Sequence, residues 1–195
     1  SSAASDVYKR QRYFNVFNLD QTNFAEKYPE KWEIIKRQFC FTEPVNDGYR
    51  NQLIDQTIEK QTWVCPIELK EQNHAFYSPG TDSITLPTIK QFSNGKEFYY
   101  TALHEMAHST GHPERLARKF GYQGTFQYAH EELIAELSSA VTGRDLGLAV
   151  LPRKENAQYL KGWLSEITND SKYILNILQD VNKAVTMIEE GIGLN

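Results

Sequence analysis

The chain has 195 residues, 40% of them apolar, with a formal net charge of −4 and a sequence pI near 5.8. That is enough apolar material for one globular domain with its own core, and too little positive charge to lay a basic stripe along a nucleic acid. No apolar run approaches the ~20 residues needed to cross a bilayer, and the N-terminus lacks an apolar signal core, so a soluble protein of the cytoplasm, without a membrane partner, is expected.

Residues 1–11 are set aside as a leader or sequence artefact, because Asp6-Val7-Tyr8-Lys9-Arg10-Gln11 is similar to the translated end of a transposon used to prepare sequencing libraries. The natural chain is therefore expected to begin further upstream, and residues 12–195 are treated as one domain. Tyr13 to Leu19 has the aromatic and aliphatic content of a strand. Pro29–Phe39 (Trp32, Ile35, Phe39) and Tyr49–Gln61 (Leu53, Ile54, Ile58) carry apolar residues at helical spacing. From Pro66 to Pro87 short alternating stretches, Ile67-Glu68-Leu69, Ala75-Phe76-Tyr77 and Ser83-Ile84-Thr85-Leu86, predict a small antiparallel sheet, with a turn at Ser78-Pro79-Gly80-Thr81-Asp82. Helices are predicted over Gly95–Thr110, about Phe126–Thr142, Lys154–Thr168 and Ser171 to about Glu190, and Trp163 and the apolar positions of the last helix are expected to be packing core. Strands followed by helices give an α+β class. Cys40 and Cys65 sit in apolar contexts that suit core or strand positions and make no disulfide framework.

His104-Glu105-Met106-Ala107-His108 is an H-E-x-x-H pattern on a predicted helix, which puts both imidazoles on one face, a turn apart. Two such rings can share one divalent cation, and Glu105 is then the general base beside an activated water. Leu103, Met106 and Ala107 surround the polar trio, so the helix is expected to be buried, where three ionisable groups are costly unless paired or ligated. Gly111 and Pro113 stop the helix directly afterwards. Zinc suits this donor set, and manganese or cobalt can also be accepted by two imidazoles and one carboxylate.

The third ligand is sought on the helix that contains Glu131-Glu132-Leu133-Ile134-Ala135-Glu136. With Ala129, Leu133, Leu137 and Ala140 as its apolar face, Glu132 and Glu136 share one border and Glu131 points nearly opposite. Glu132 is expected to ligate and Glu136 to accept from a ligating imidazole; the reversed assignment stays open, as does Glu114, which stands where another H-E-x-x-H pattern places its third ligand. His112 is expected in a supporting or turn-stabilising role. Glu131 is expected to be a solvated charge, and His74 and His130 to be ordinary histidines.

On these residues the chain resembles the metallopeptidase domain of ArdC-like antirestriction proteins, the zincin-like polyvalent-protein metallopeptidase domain. The resemblance runs from Val16-Phe17-Asn18 through Tyr77-Ser78-Pro79 with Asp82, Tyr99-Tyr100, and His104 to Pro113 with Arg115-Leu116. It continues through Tyr128 to Leu137 and ends in Tyr159-Leu160 with Trp163-Leu164. Ser109 departs from it, since relatives often carry a large aromatic there, and this is expected to alter the pocket. The resemblance implies a protein of a mobile element that protects incoming DNA, with a Glu on the second helix at the metal and a single-stranded-DNA-binding domain ahead of the peptidase. DNA binding is accordingly not carried over to these residues. It implies a metallopeptidase acting on an unidentified protein or peptide, with Ser83 to Leu86 expected as an edge strand that pairs with extended substrate. The alternative is a non-proteolytic DNA-protection or binding protein whose metal is structural.

Overall fold

The computed structural model describes residues 23–39, 46–122, 124–148 and 171–194. The leader, the strand expected over Tyr13–Leu19, Cys40, and the helix expected over Lys154–Thr168 with Trp163 lie outside the described residues. Contacts divide the chain into a unit ending at Thr42 and a unit from Glu43 to Asn195. In the first, α1 (Phe24–Lys27) and α2 (Pro29–Phe39) are joined by a ring cluster of Phe24, Tyr28 and Trp32.

The second unit begins with α3 (Gln52–Glu59), shorter than the apolar spacing suggests. Asn51 accepts the Ile54 N–H and caps its start, and Gln61, at φ 51°, ends it. The Gln61 amide then donates to the carbonyls of Ile58 and Ile67 and accepts the Ile67 N–H, fastening the helix exit to the first strand. Strands β1 (Ile67–Lys70), β2 (Phe76–Ser78) and β3 (Ser83–Pro87) form one sheet in the order β1-β3-β2.

Two expectations are corrected here. The sheet is mixed: β2 and β3 form the expected antiparallel hairpin, but β1 runs parallel to β3, with Ile67 opposite Ile84 and Leu69 opposite Leu86. Turn chemistry in the sequence marks only the β2–β3 reversal; the direction of β1 is set by distant pairing, including the Ile84 N–H on the Pro66 carbonyl. Consequently β3 is the central strand, not an edge. Its Ile84 and Leu86 are fully buried, and the edge beside the cleft described below is β2.

Helix α4 (Gly95–Thr110) is packed against α5 (Phe126–Asp145), α6 (Ser171–Ile192), β2 and β3. Asn94 caps its start by accepting the Lys96 N–H, and Asp47 accepts the Gly95 N–H. Tyr99, Leu103 and Met106 are fully buried in a core with Ile54, Ile84, Leu86 and Ile188. At about 1.5–3 kcal/mol per buried large apolar side chain, this face rather than helix propensity holds α4 in place. A second cluster joins Leu133 and Ile134 of α5 to Ile177, Val181 and Val185 of α6, while Leu175 and Leu178 stand exposed and are not the core positions expected of them. Cys65 is buried and unpaired, and burial pushes its thiol up to about 11.

The core also closes around Trp63, whose indole N–H donates to Ser109 Oγ at 2.9 Å. Ser109 is fully buried and does not line the cleft, so the departure at this position changes the core and not the pocket. Gly191 of α6 lies on the same indole, and a Cβ there would press on Trp63 Cζ3 and come within 2.8 Å of Cε3. Because Ser109 pins the ring, Gly191→Ala is expected to cost about 1–3 kcal/mol by overpacking, read as a lower urea midpoint at unchanged slope; an unchanged midpoint contradicts this packing.

Candidate metal centre

Helix α4 turns two faces to different surroundings. Leu103, Met106 and Ala107 enter the core, while His104, Glu105 and His108 line a cleft of about 410 Å³. The cleft is walled by Ala75, Phe76 and Tyr77 of the β2 edge, by Pro79, Phe120 and Gly121, and by Tyr128, Glu131 and Glu132 of α5. Tyr77 is held by a small network: its hydroxyl donates to Asp82 Oδ1 at 2.8 Å, and Arg115 donates to both Asp82 oxygens, to Tyr77 Oη and to the Ser109 carbonyl. That guanidinium holds the Asp82 carboxyl below the ordinary carboxylate range. The β2–β3 turn is thereby locked to the end of α4.

The Nε2 atoms of His104 and His108 are 3.1 Å apart, with the rings nearly perpendicular. Glu132 faces both: Oε2 is 3.6 Å from His104 Nε2, and Oε1 is 3.5 Å from His108 Nε2. Donor atoms of a tetrahedral zinc at ~2.0–2.1 Å lie about 3.3–3.4 Å from one another, and each imidazole Nε2 has one Glu132 oxygen near that separation. One donor atom from each of His104, His108 and Glu132 falls within a 4.8 Å span.

Each ring is also met from behind by a carboxylate. Glu131 Oε1 is 3.1 Å from His108 Nδ1, and Glu136 Oε2 is 3.2 Å from His104 Nδ1, the latter off the line of the N–H. The Tyr100 hydroxyl donates to the other Glu136 oxygen at 2.7 Å. Contacts at Nδ1 leave Nε2 as the nitrogen available to a cation, the arrangement that orients metal-binding histidines.

Glu131 overturns the expectation of a solvated charge: it is only 3% exposed. The sequence places it opposite one apolar face, but α5 has no solvent face at this point, being covered by α4 and by the segment that follows α4. Arg118 of that segment forks onto Glu131, Nε to Oε2 and Nη2 to Oε1, both at 2.8 Å. This pairing and His108 keep the Glu131 carboxyl below its ordinary range although burial opposes it. Arg118 was absent from the sequence reading, and its only signal there was a cation shortly after the helix stop. Of the two roles expected for His112, the bond present is the turn-stabilising one: His112 does not line the cleft, and its Nδ1 accepts the Glu114 N–H. Glu114 is exposed on that turn, away from the convergent trio.

Glu105, Glu131, Glu132 and Glu136 bring four carboxylates to the centre, and among the described residues Arg118 stands beside them as a fixed positive charge. Buried carboxylates demand compensating positive charge. A proton on the imidazole pair supplies part of it. Burial works against charging His108, but Glu131 and Glu132 outweigh it and raise the ring to about 10. His104 is likewise raised, by Glu132 and Glu136 against burial and against His108. A divalent cation supplies the compensation more fully, and the donor set, spacing and charge all fit one.

Residues 56–179 match the family described as Zincin-like metallopeptidase, MPTase-PolyVal. The chain is 41% identical over 114 residues to the DNA primase TraC of Escherichia coli, covering 58% of this chain and 11% of that protein. It is 36% identical over 103 residues to the uncharacterized protein y4eC of Sinorhizobium fredii, covering 52% and 34%. Among solved structures it is similar to the antirestriction ArdC protein from the R388 plasmid. The Mn(II)-bound form gives 28% identity and a TM-score of 0.65 over 75% of this chain and 55% of that one. The metal-free form gives 29% and 0.63 over 74% and 52%. The chain therefore spans about half the length of these ArdC chains and far less of TraC. Among the described residues, no helix is long and apolar enough to cross a membrane.

Raised imidazoles fix the sign of a pH effect. A cation must displace the proton held by His104 and His108, whereas Glu132, lowered by those same rings against burial, offers no competing proton. Zinc affinity is expected to climb as pH rises from 6 to 8, by about tenfold per unit for each proton released, measured by chelator competition in two buffers of different ionisation enthalpy. Affinity independent of pH over that window contradicts the proton-bearing pair.

Proposed function

Because the chain belongs to the zincin-like metallopeptidase family, we propose that it is the metal-dependent peptidase module of an ArdC-type antirestriction protein, encoded by a mobile element and acting in the cytoplasm of the cell that receives incoming DNA. The observation that carries this reading is Glu105. It is buried and lines the cleft beside the convergent trio, and among the described residues no hydrogen bond occupies its carboxylate. A structural metal site needs ligands and no such group.

In this reading His104, His108 and Glu132 hold the cation, zinc in the first place, with manganese or cobalt compatible with the same donors. When bound, the cation supplies Lewis acidity toward a water and a carbonyl oxygen. Glu105 accepts the proton of the attacking water and returns it to the leaving amine. Glu131 and Glu136 hold the two rings with Nε2 forward. Among the described residues β2, not β3, is the edge strand at the cleft: an extended substrate can add to it as a strand, with Phe76, Tyr77, Phe120 and Tyr128 beside its side chains. Binding of single-stranded DNA is not assigned to these residues, whose charge is net negative.

Glu105→Gln is the discriminating variant. It is expected to retain one equivalent of zinc while losing at least about 10²-fold in the rate of zinc-dependent cleavage, followed by mass spectrometry of a denatured-proteome peptide library against a chelator-treated control. Cleavage at the wild-type rate overturns the peptidase mechanism; a wild-type protein that binds zinc yet cleaves nothing in the library favours the non-proteolytic DNA-protection reading.

A further inference from the structure

We propose that Arg118 is a positioning residue for the metal centre, acting through Glu131 on His108; the inference rests on the metal-binding reading above. The guanidinium has no contact with the convergent trio itself. Its fork holds both oxygens of Glu131, and the oxygen it shares, Oε1, is the one 3.1 Å from His108 Nδ1. Two further donors reach the C-terminal turn of α4: Nη1 donates to Thr110 Oγ1 and Nη2 to the Ala107 carbonyl, each at 2.8 Å.

Two consequences follow from this geometry. First, a carboxylate free to rotate could meet His108 with either oxygen or swing toward the cation, whereas the fork fixes its plane and leaves Oε1 as an acceptor for Nδ1–H. That selects the tautomer with Nε2 bare, which a cation requires. Second, the same guanidinium links the end of α4, which carries the histidines, to the first turns of α5, which carries Glu132. The separation of the two helices at the ligand level is thus set by a planar, always-charged group with fixed donor directions, a task a lysine cannot perform. The close approach needs Gly111, where a Cβ would lie 2.9 Å from Arg118 Nη2 and 3.0 Å from Phe120 Cζ. On the other ring, the rear carboxylate Glu136 accepts from the Tyr100 hydroxyl.

The test is a thermodynamic cycle on zinc affinity, with wild type, Arg118→Met, Glu131→Gln and the double variant titrated against a chromophoric chelator. Cobalt-loaded samples are compared by their visible absorption, and metal-free samples by circular dichroism and thermal melting. Each single variant is expected to weaken zinc binding by about 10–100-fold. The double variant is expected to match the weaker of the two within about threefold, and the cobalt bands of both single variants to shift in the same direction. Arg118→Lys, which keeps the charge and loses the fork, is expected to resemble Arg118→Met; it serves in place of the methionine variant if that one does not fold. Losses that multiply in the double variant, a full rescue by lysine, or wild-type affinity in the single variants overturn the proposal. A wild-type protein that binds no zinc sinks the metal-binding reading instead, so the two failures are separable.

Discussion

Everything at this centre depends on the way two buried helices are made to tolerate ionisable groups. Helix α4 cannot leave the core, because Tyr99, Leu103 and Met106 are fully enclosed, yet the same helix carries His104, Glu105 and His108 within the protein. Helix α5 answers with Glu131, Glu132 and Glu136 at adjoining positions. An array of acids around two imidazoles is expensive to desolvate and is stable only when positive charge is placed among them. Among the described residues Arg118 provides part of that charge from the chain just beyond α4, and a proton or a cation at Nε2 adds to it.

The division of labour along α5 shows how much of this was readable beforehand. Helical spacing separates Glu132 from Glu136 by one turn and sends them to different atoms of the same ring, Glu132 to His104 Nε2 and Glu136 to Nδ1. Helical spacing in the sequence puts both acids on one border of α5; which of them meets Nε2 and which Nδ1 stays open at that level. Glu131 could not be read in that way. A helix with one apolar face ordinarily turns the opposite face to water, but here Arg118 covers Glu131 on that side. A buried acid is recognised from sequence only if its partner is, and Arg118 lies across an irregular segment whose path no periodicity predicts.

The sheet fails in the same physical manner. The β2–β3 hairpin is announced by its turn residues, with Asp82 at φ 44°, whereas the parallel seating of β1 depends on pairing across the chain and has no local signature. The difference bears on the proposed substrate strand, because among the described residues the edge at the cleft is β2 and not β3. Tyr77, Asp82 and Arg115 form the latch that carries this edge against the end of α4.

A measurement that bears directly on the central claim is X-ray absorption fine structure of the zinc-loaded protein. The account predicts four or five light-atom neighbours at about 2.0–2.1 Å, two of them with the outer-shell scattering of imidazole, one contributed by Glu132 and lost in Glu132→Ala, and at least one that exchanges with added azide. A shell without two imidazoles, or one saturated by side chains and indifferent to azide, contradicts it.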